Sequence, residues 1–218
     1  MDKFFILILF GLLSCAVSKR VLETDYSSTD NLRLKDAVGY EKAIMSADKT
    51  PNHHISIDTG IYPNKNNYEL VTPKTFLRTG DYFEVEVGYY YSTPDSLVRL
   101  ILYEWNKKNL KTFETKKELE NKFNEFKNQW NSISKEINER LGLPTFKKIE
   151  SNKYDDKIIE DNQSIEDIMS FIGDGSTEES TTWRDDMKWD TKDGHAYLFM
   201  FGDNRTGYRQ IRLAVYGE

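Results

Sequence analysis

TKKELENKFNEFKNQWNSISKEINERLGLP, residues 115–144, is the stretch on which the reading of this chain turns. Leu119, Phe123, Phe126, Trp130, Ile133, Ile137 and Leu141 recur at steps of three and four, which places all seven on one stripe of an α-helix. The remaining positions are mostly Lys, Glu, Asn and Gln. Thr115 and Glu118 have capping-box spacing, in which a hydroxyl and a carboxylate satisfy amides of the first turn. Gly142 and Pro144 close the far end, the first by a left-handed cap and the second by forbidding continuation. The expected helix, 116–141, is roughly 39 Å long at about 1.5 Å per residue, and its apolar stripe needs a flat apolar surface to cover it.

Strand patterns on both sides of this helix supply that surface. Phe83, Val85, Val87, Tyr89 and Tyr91 alternate with Tyr82, Glu84, Glu86, Gly88 and Tyr90, the period of a half-buried strand. Ser92-Thr93-Pro94-Asp95-Ser96 supplies a turn before the apolar run Leu97 to Trp105, so 82–105 reads as an antiparallel hairpin. Further strands are expected around Trp183 to Trp189, His195 to Phe201 and Tyr208 to Tyr216. In the last of these Ile211, Leu213 and Val215 face one way and Tyr208, Gln210, Arg212 and Tyr216 the other. The fold class is therefore α+β: hairpin 82–105 and strands 183–216 packed on one long helix, plus a short helix, 165–172. A weak amphipathic helix through Leu34, Val38, Ile44 and Met45 is expected earlier, strand character at His53 to Ile57, and a charged surface loop at 147–162.

A chain of 218 residues with 13% aromatic side chains is long enough for one well-packed domain, and the aromatic share argues against disorder. Its formal charge of −6 argues against nucleic acid as a general partner, since that needs clustered cations. Phe4 to Leu13 is too short an apolar run to span a bilayer as a helix, and it ends abruptly at the polar Ser18-Lys19-Arg20. This is the pattern of a secretory leader, so residues 1–18 are expected to be a signal peptide. The chain's one cysteine, Cys15, stands directly after Leu12-Leu13-Ser14 at the end of that run. In that place it resembles the cysteine of a bacterial lipoprotein signal, which implies lipidation at Cys15; the alternative is ordinary cleavage after Ser18. Residues 19–31 read as a tether and 32–218 as the folded domain.

Catalytic signals are sparse. There is no nucleophile elbow, P-loop or dinucleotide fingerprint, and the cysteine lies in the leader. His53 and His54 are adjacent and on a strand would point to opposite faces, a poor chelating pair. His195, close to Asp193, supports one rival reading, a secreted hydrolase with the histidine and nearby carboxylates as acid and base. No metal or other cofactor is expected. The better lead is aromatic. Tyr82, Tyr90, Tyr208 and Tyr216 fall on the strand faces opposite the apolar ones, and Trp183 and Trp189 border a Gly-, Ser-, Thr- and Glu-rich segment, 174–182, with the composition of a mobile loop. Either these rings are exposed partner contacts, in which case Trp183, Trp189 and Tyr208 mark the binding face, or both sheet faces are covered, one by the helix and one by the N-terminal segment.

The lipoprotein-type leader, the helix ending Leu141-Gly142-Leu143-Pro144 and the terminal Arg209-Gln210-Ile211-Arg212-Leu213-Ala214-Val215-Tyr216 together resemble small, uncharacterised bacterial envelope lipoproteins. The C-terminal half is distantly similar to the outer-membrane assembly lipoprotein BamE and to β-lactamase-inhibitor-like domains. The resemblance implies a lipid-anchored protein of the bacterial cell envelope, or a soluble secreted or periplasmic one if the cysteine is removed. It implies a non-catalytic binding or assembly role with another envelope protein as partner.

Overall fold

A computed structural model describes residues 29–53, 56–80, 82–107, 115–151, 182–203 and 207–217. Strand is the commonest regular structure among these residues. The strands are β1 (Ala47–Asp48), β2 (Lys74–Thr79), β3 (Phe83–Tyr91), β4 (Val98–Lys107), β5 (Phe146–Lys148), β6 (Thr182–Thr191), β7 (Gly194–Asp203) and β8 (Tyr208–Tyr216). Two helices accompany them, α1 (Leu34–Ala43) and α2 (Lys116–Leu141). All eight strands join one sheet in the order β1-β2-β3-β4-β8-β7-β6-β5, every neighbouring pair antiparallel. The class is mixed α+β, with more strand than the reading of two hairpin regions beside one helix allowed. Strands β1, β2 and β5 were not expected, and β5 occupies the start of the supposed surface loop. Strands β1 and β5, at two and three residues, are too short to show a period, and β2 does not alternate cleanly, since neighbouring Thr75 and Phe76 are both buried and so is Arg78.

The two halves of the chain meet where β4 pairs with β8, Ile101 opposite Val215 and Tyr103 opposite Leu213. Side chains of alternating parity then build two apolar clusters, one on each face. The inner cluster holds Val85, Val87, Ile101, Trp105, Leu198, Ile211 and Leu213 from the sheet, together with Phe126, Trp130, Ile133 and Ile137 from α2. The Phe83 and Phe126 rings meet edge to face, centroids 4.9 Å apart. Thr115 and Glu118 form the capping box of α2. At its other end Trp189 Nε1 donates to the Gly142 carbonyl at 3.0 Å and to Asn138 Oδ1 at 3.1 Å, occupying a carbonyl the helix cannot satisfy itself.

The first helix departs from expectation. It ends at Ala43, leaving Ile44 and Met45 exposed, and it buries Ala37 and a charged residue, Glu41. Glu41 has no exposed surface; it accepts hydrogen bonds from Arg78 of β2, from Tyr89 Oη of β3 at 2.5 Å and from Ser46 Oγ at 2.5 Å. Arg78 is itself 9% exposed and stands between the Tyr40 and Tyr103 rings. Burial of this charge is tolerated because it is both paired and hydrogen-bonded.

On the outer face a smaller cluster joins Tyr90, Leu100, Leu102, Tyr197, Phe199 and Ala214 to Ile57 and Tyr62, with Ile61, Tyr68, Leu70 and Tyr216 packed against it. Residues 57–70, which include a 3-10 turn at Pro63–Asn67, thus cover one end of that face. Ile57 belongs to this cover and to no strand; His54 and Ile55 lie outside the described residues.

Candidate binding face

Alternation along β6, β7 and β8 decides what the uncovered end of the outer face presents. Strand β6 sends Trp183, Asp185, Met187 and Trp189 inward, leaving Arg184, Asp186, Lys188 and Asp190 outside. Strand β7 is apolar on both faces, with Tyr197, Phe199 and Phe201 outward, and β8 contributes Tyr208, Gln210 and Arg212. Register turns these residues into rows across the sheet: Glu86, Glu104, Arg212, Phe199, Asp186 and Lys148 stand side by side, and Gln210, Phe201 and Arg184 form a second row.

Within the rows, cations lie on rings. The Arg184 guanidinium is 4.3 Å from the Phe199 centroid and Lys188 Nζ is 4.5 Å from that of Tyr197, while Arg212 reaches Phe199 from the other side at 6.0 Å. Arg184 Nε donates to Asp186 Oδ1 at 2.8 Å and its Nη2 to the Tyr197 hydroxyl, which in turn donates to Asp186. Burial first, and the Asp186 carboxylate second, hold the Tyr197 phenol far above its ordinary value, so it remains a donor. Arg212 pairs with Glu104. Burial pushes the Glu104 carboxyl above its ordinary range against the pull of Arg212.

One corner of this face exposes both an aromatic ring and an arginine. Tyr208 is 43% exposed beside a half-buried Phe201, ring centroids 6.0 Å apart, and the Arg184 side chain is also 43% exposed. Arginine and tyrosine whose side chains are already held by neighbours lose little entropy on binding, which is why such residues dominate interface energetics.

The residues expected to mark a binding face do not converge. Tyr208 lies on the outer face, but Trp183 and Trp189 are 3% and 1% exposed on the inner one, which corrects the expectation that their rings are accessible. Trp183 lies against Gly202, its partner in the β6–β7 register, and the Arg209 guanidinium sits 4.6 Å from the Trp183 ring and 4.0 Å from that of Phe123. The parity was obscured in the sequence by Asp185, an inward carboxylate. It is buried because it accepts the Glu150 and Ser151 amides at 2.7 and 2.8 Å. Arg184, Phe199 and Phe201 were missed; the doubly apolar run of β7 was the signal available for the last two. Tyr90 is buried, covered by residues 57–70.

His195 Nδ1 stands 2.7 Å from a carboxylate, that of Asp190 directly across the β6–β7 hairpin and not the expected Asp193. Its ring stacks on Tyr216, centroids 5.4 Å apart and 6° from parallel. A cleft of about 330 Å³ lies elsewhere, lined by Thr29, Asp30, Asn31, Leu97, Val98, Arg99 and Gly217. Among the described residues no group of three or more His, Cys, Asp or Glu is placed to hold a metal ion, and no helix is long and apolar enough to cross a membrane. Cys15, the expected leader 1–18, most of the expected tether, the expected helix 165–172 and residues 174–181 lie outside the described residues.

No protein-family model, curated protein or solved structure matches this chain.

Proposed function

We propose that this chain is an exported, lipid-anchored protein of the bacterial envelope whose folded part is a non-catalytic binding or assembly module for another envelope protein. The observation that carries the reading is the outer face around Tyr208, Phe201, Arg184 and Arg212, where exposed aromatic and arginine side chains are stiffened by one another at the end that residues 57–70 leave uncovered. In this reading α2 packs on the inner face as scaffold and holds the sheet rigid; the contacts of Phe126 with Phe83 and of Trp189 with Gly142 support it. The leader and Cys15 supply the anchor.

The test is capture of partners by the tagged chain from native membranes. Tyr208→Ala and Arg212→Ala, both at exposed or half-buried positions, should leave the fold intact and reduce the captured partner, and Cys15→Ser should release the protein into the soluble fraction. Unchanged capture by the double variant Tyr208→Ala/Arg212→Ala refutes the face. An unmodified N-terminus at Lys19 by mass spectrometry refutes the anchor.

The His195–Asp190 contact favours one further reading, a secreted hydrolase in which Asp190 orients the imidazole as general base. Hydrolysis of ester, phosphate or glycoside substrates that is lost in His195→Gln would establish it. Equal rates in wild type and variant would dismiss it.

A further inference from the structure

Strand β5 is the outermost strand on its side of the sheet, and all three of its residues are exposed. One side of it pairs with β6, Phe146 opposite Lys188, Lys147 opposite Met187 and Lys148 opposite Asp186. Among the described residues no strand lies beyond it. Such an edge offers backbone donors and acceptors already spaced for one more strand. Beside it stand two of the five large apolar side chains exposed among the described residues, Leu143 at 82% and Phe146 at 48%. The rim is cationic: Lys147 and Lys148 are exposed and Lys188 faces Phe146, while Glu150 engages Lys148 at 2.6 Å.

Lysines on an edge strand are a common defence against aggregation. Defence alone does not account for a phenylalanine and a leucine kept in water at the same place. The lysines also decide what can dock. A second copy of this chain would set Lys147 and Lys148 against the same lysines about 5 Å away, which is repulsive. An acidic strand converts the same charges into attraction. Because Phe146 and Lys147 point to opposite faces, the best match alternates apolar and acidic residues.

We propose that the β5 edge is the docking site for an extended, acid-rich segment of a partner protein, which adds to the sheet as a ninth strand with apolar side chains against Phe146 and Leu143 and carboxylates toward Lys147. Main-chain hydrogen bonds supply the attachment and the alternating side chains the specificity. The proposal stands on the sheet edge alone and needs neither the face around Tyr208 nor the anchor.

The test uses the purified full chain and fluorescein-labelled ten-residue peptides read by fluorescence anisotropy: alternating Glu-Val, alternating Lys-Val, and Glu-Val with alternate backbone amides N-methylated so that one edge cannot donate. The Glu-Val peptide should bind, the Lys-Val peptide should not, and N-methylation of the docking edge should abolish binding. Phe146→Ser and Lys147→Glu, at exposed positions that leave the fold intact, should each weaken binding about tenfold or more. No binding of Glu-Val, or equal binding after N-methylation of either edge, overturns the proposal. If Tyr208→Ala removes binding and Phe146→Ser does not, the peptide sits on the outer face; the edge proposal then fails while the function proposed above stands.

Discussion

Gly202 and Trp183 form the sharpest quantitative test of how the C-terminal strands pack. A Cβ built on Gly202 would lie 2.3 Å from Trp183 Cζ2 and 2.4 Å from Cε2. That is more than about 1 Å inside ordinary carbon contact. The indole cannot retreat freely, because the Arg209 guanidinium occupies its surroundings at 4.6 Å and the Trp183 side chain is 3% exposed. Gly202→Ala should therefore show the cost of an overpacked core, about 1–3 kcal/mol. Truncating the buried ring by Trp183→Ala should cost about 3–5 kcal/mol. Once the indole is gone, the clash at Gly202 goes with it, and an alanine in a strand interior is better than glycine by roughly 0.5–1 kcal/mol. In the Trp183→Ala background Gly202→Ala should then be neutral or slightly stabilising, for a coupling on the order of 2–3 kcal/mol. Urea unfolding of the four proteins followed by circular dichroism measures each corner of the cycle. A tolerated Gly202→Ala in the wild type, with the two changes strictly additive, would refute the stacking of Trp183 on Gly202.

Three further outcomes test other parts of the fold. Glu41→Ala leaves the Arg78 guanidinium buried without its carboxylate and should cost about 3–5 kcal/mol, while Glu41→Leu combined with Arg78→Met should recover most of it; a mild effect of Glu41→Ala on urea unfolding would show that water reaches the pair. Trp189→Phe removes the donor to Gly142 and Asn138 and trims the buried ring, and should lower stability by about 1–3 kcal/mol, or roughly 2–12 °C in the thermal midpoint. The third concerns pH. Because burial raises the Glu104 carboxyl, the native state holds that proton more tightly than the unfolded state, whose reference value is 4.5. The stability this supplies is complete below pH 4.5 and is lost as pH rises through the native value. The midpoint of the wild type relative to Glu104→Gln should accordingly fall from pH 4 to 7; a rise over that range would mean that the Arg212 ion pair outweighs burial.

Local order was legible in the sequence and partnership was not. The α2 boundaries came from caps and a period of three and four, β3 and β8 from alternation, and β4 from an apolar run after a turn, because each is a relation among residues a few positions apart. Of the binding residues named from sequence, Tyr208 stands on the outer face and Trp183 and Trp189 do not, since one inward carboxylate, Asp185, hid the parity of β6. His195 was paired by proximity in sequence with Asp193, whereas hairpin register sets it against Asp190. Alternation states that one face of a strand is buried, but it does not say against what.

The sequence alone therefore determined the long helix, its stripe and the principal antiparallel strands, all properties of short windows in which side-chain period and cap chemistry suffice. Only the tertiary structure decided that β4 joins β8, that Glu41 finds Arg78, that Trp183 lies on Gly202, and that Asp186, Phe199 and Arg212 share a row. Backbone hydrogen bonds are satisfied equally by many strand partners. The choice among them is made by side chains distant in sequence, and it exists only once the sheet has closed around them.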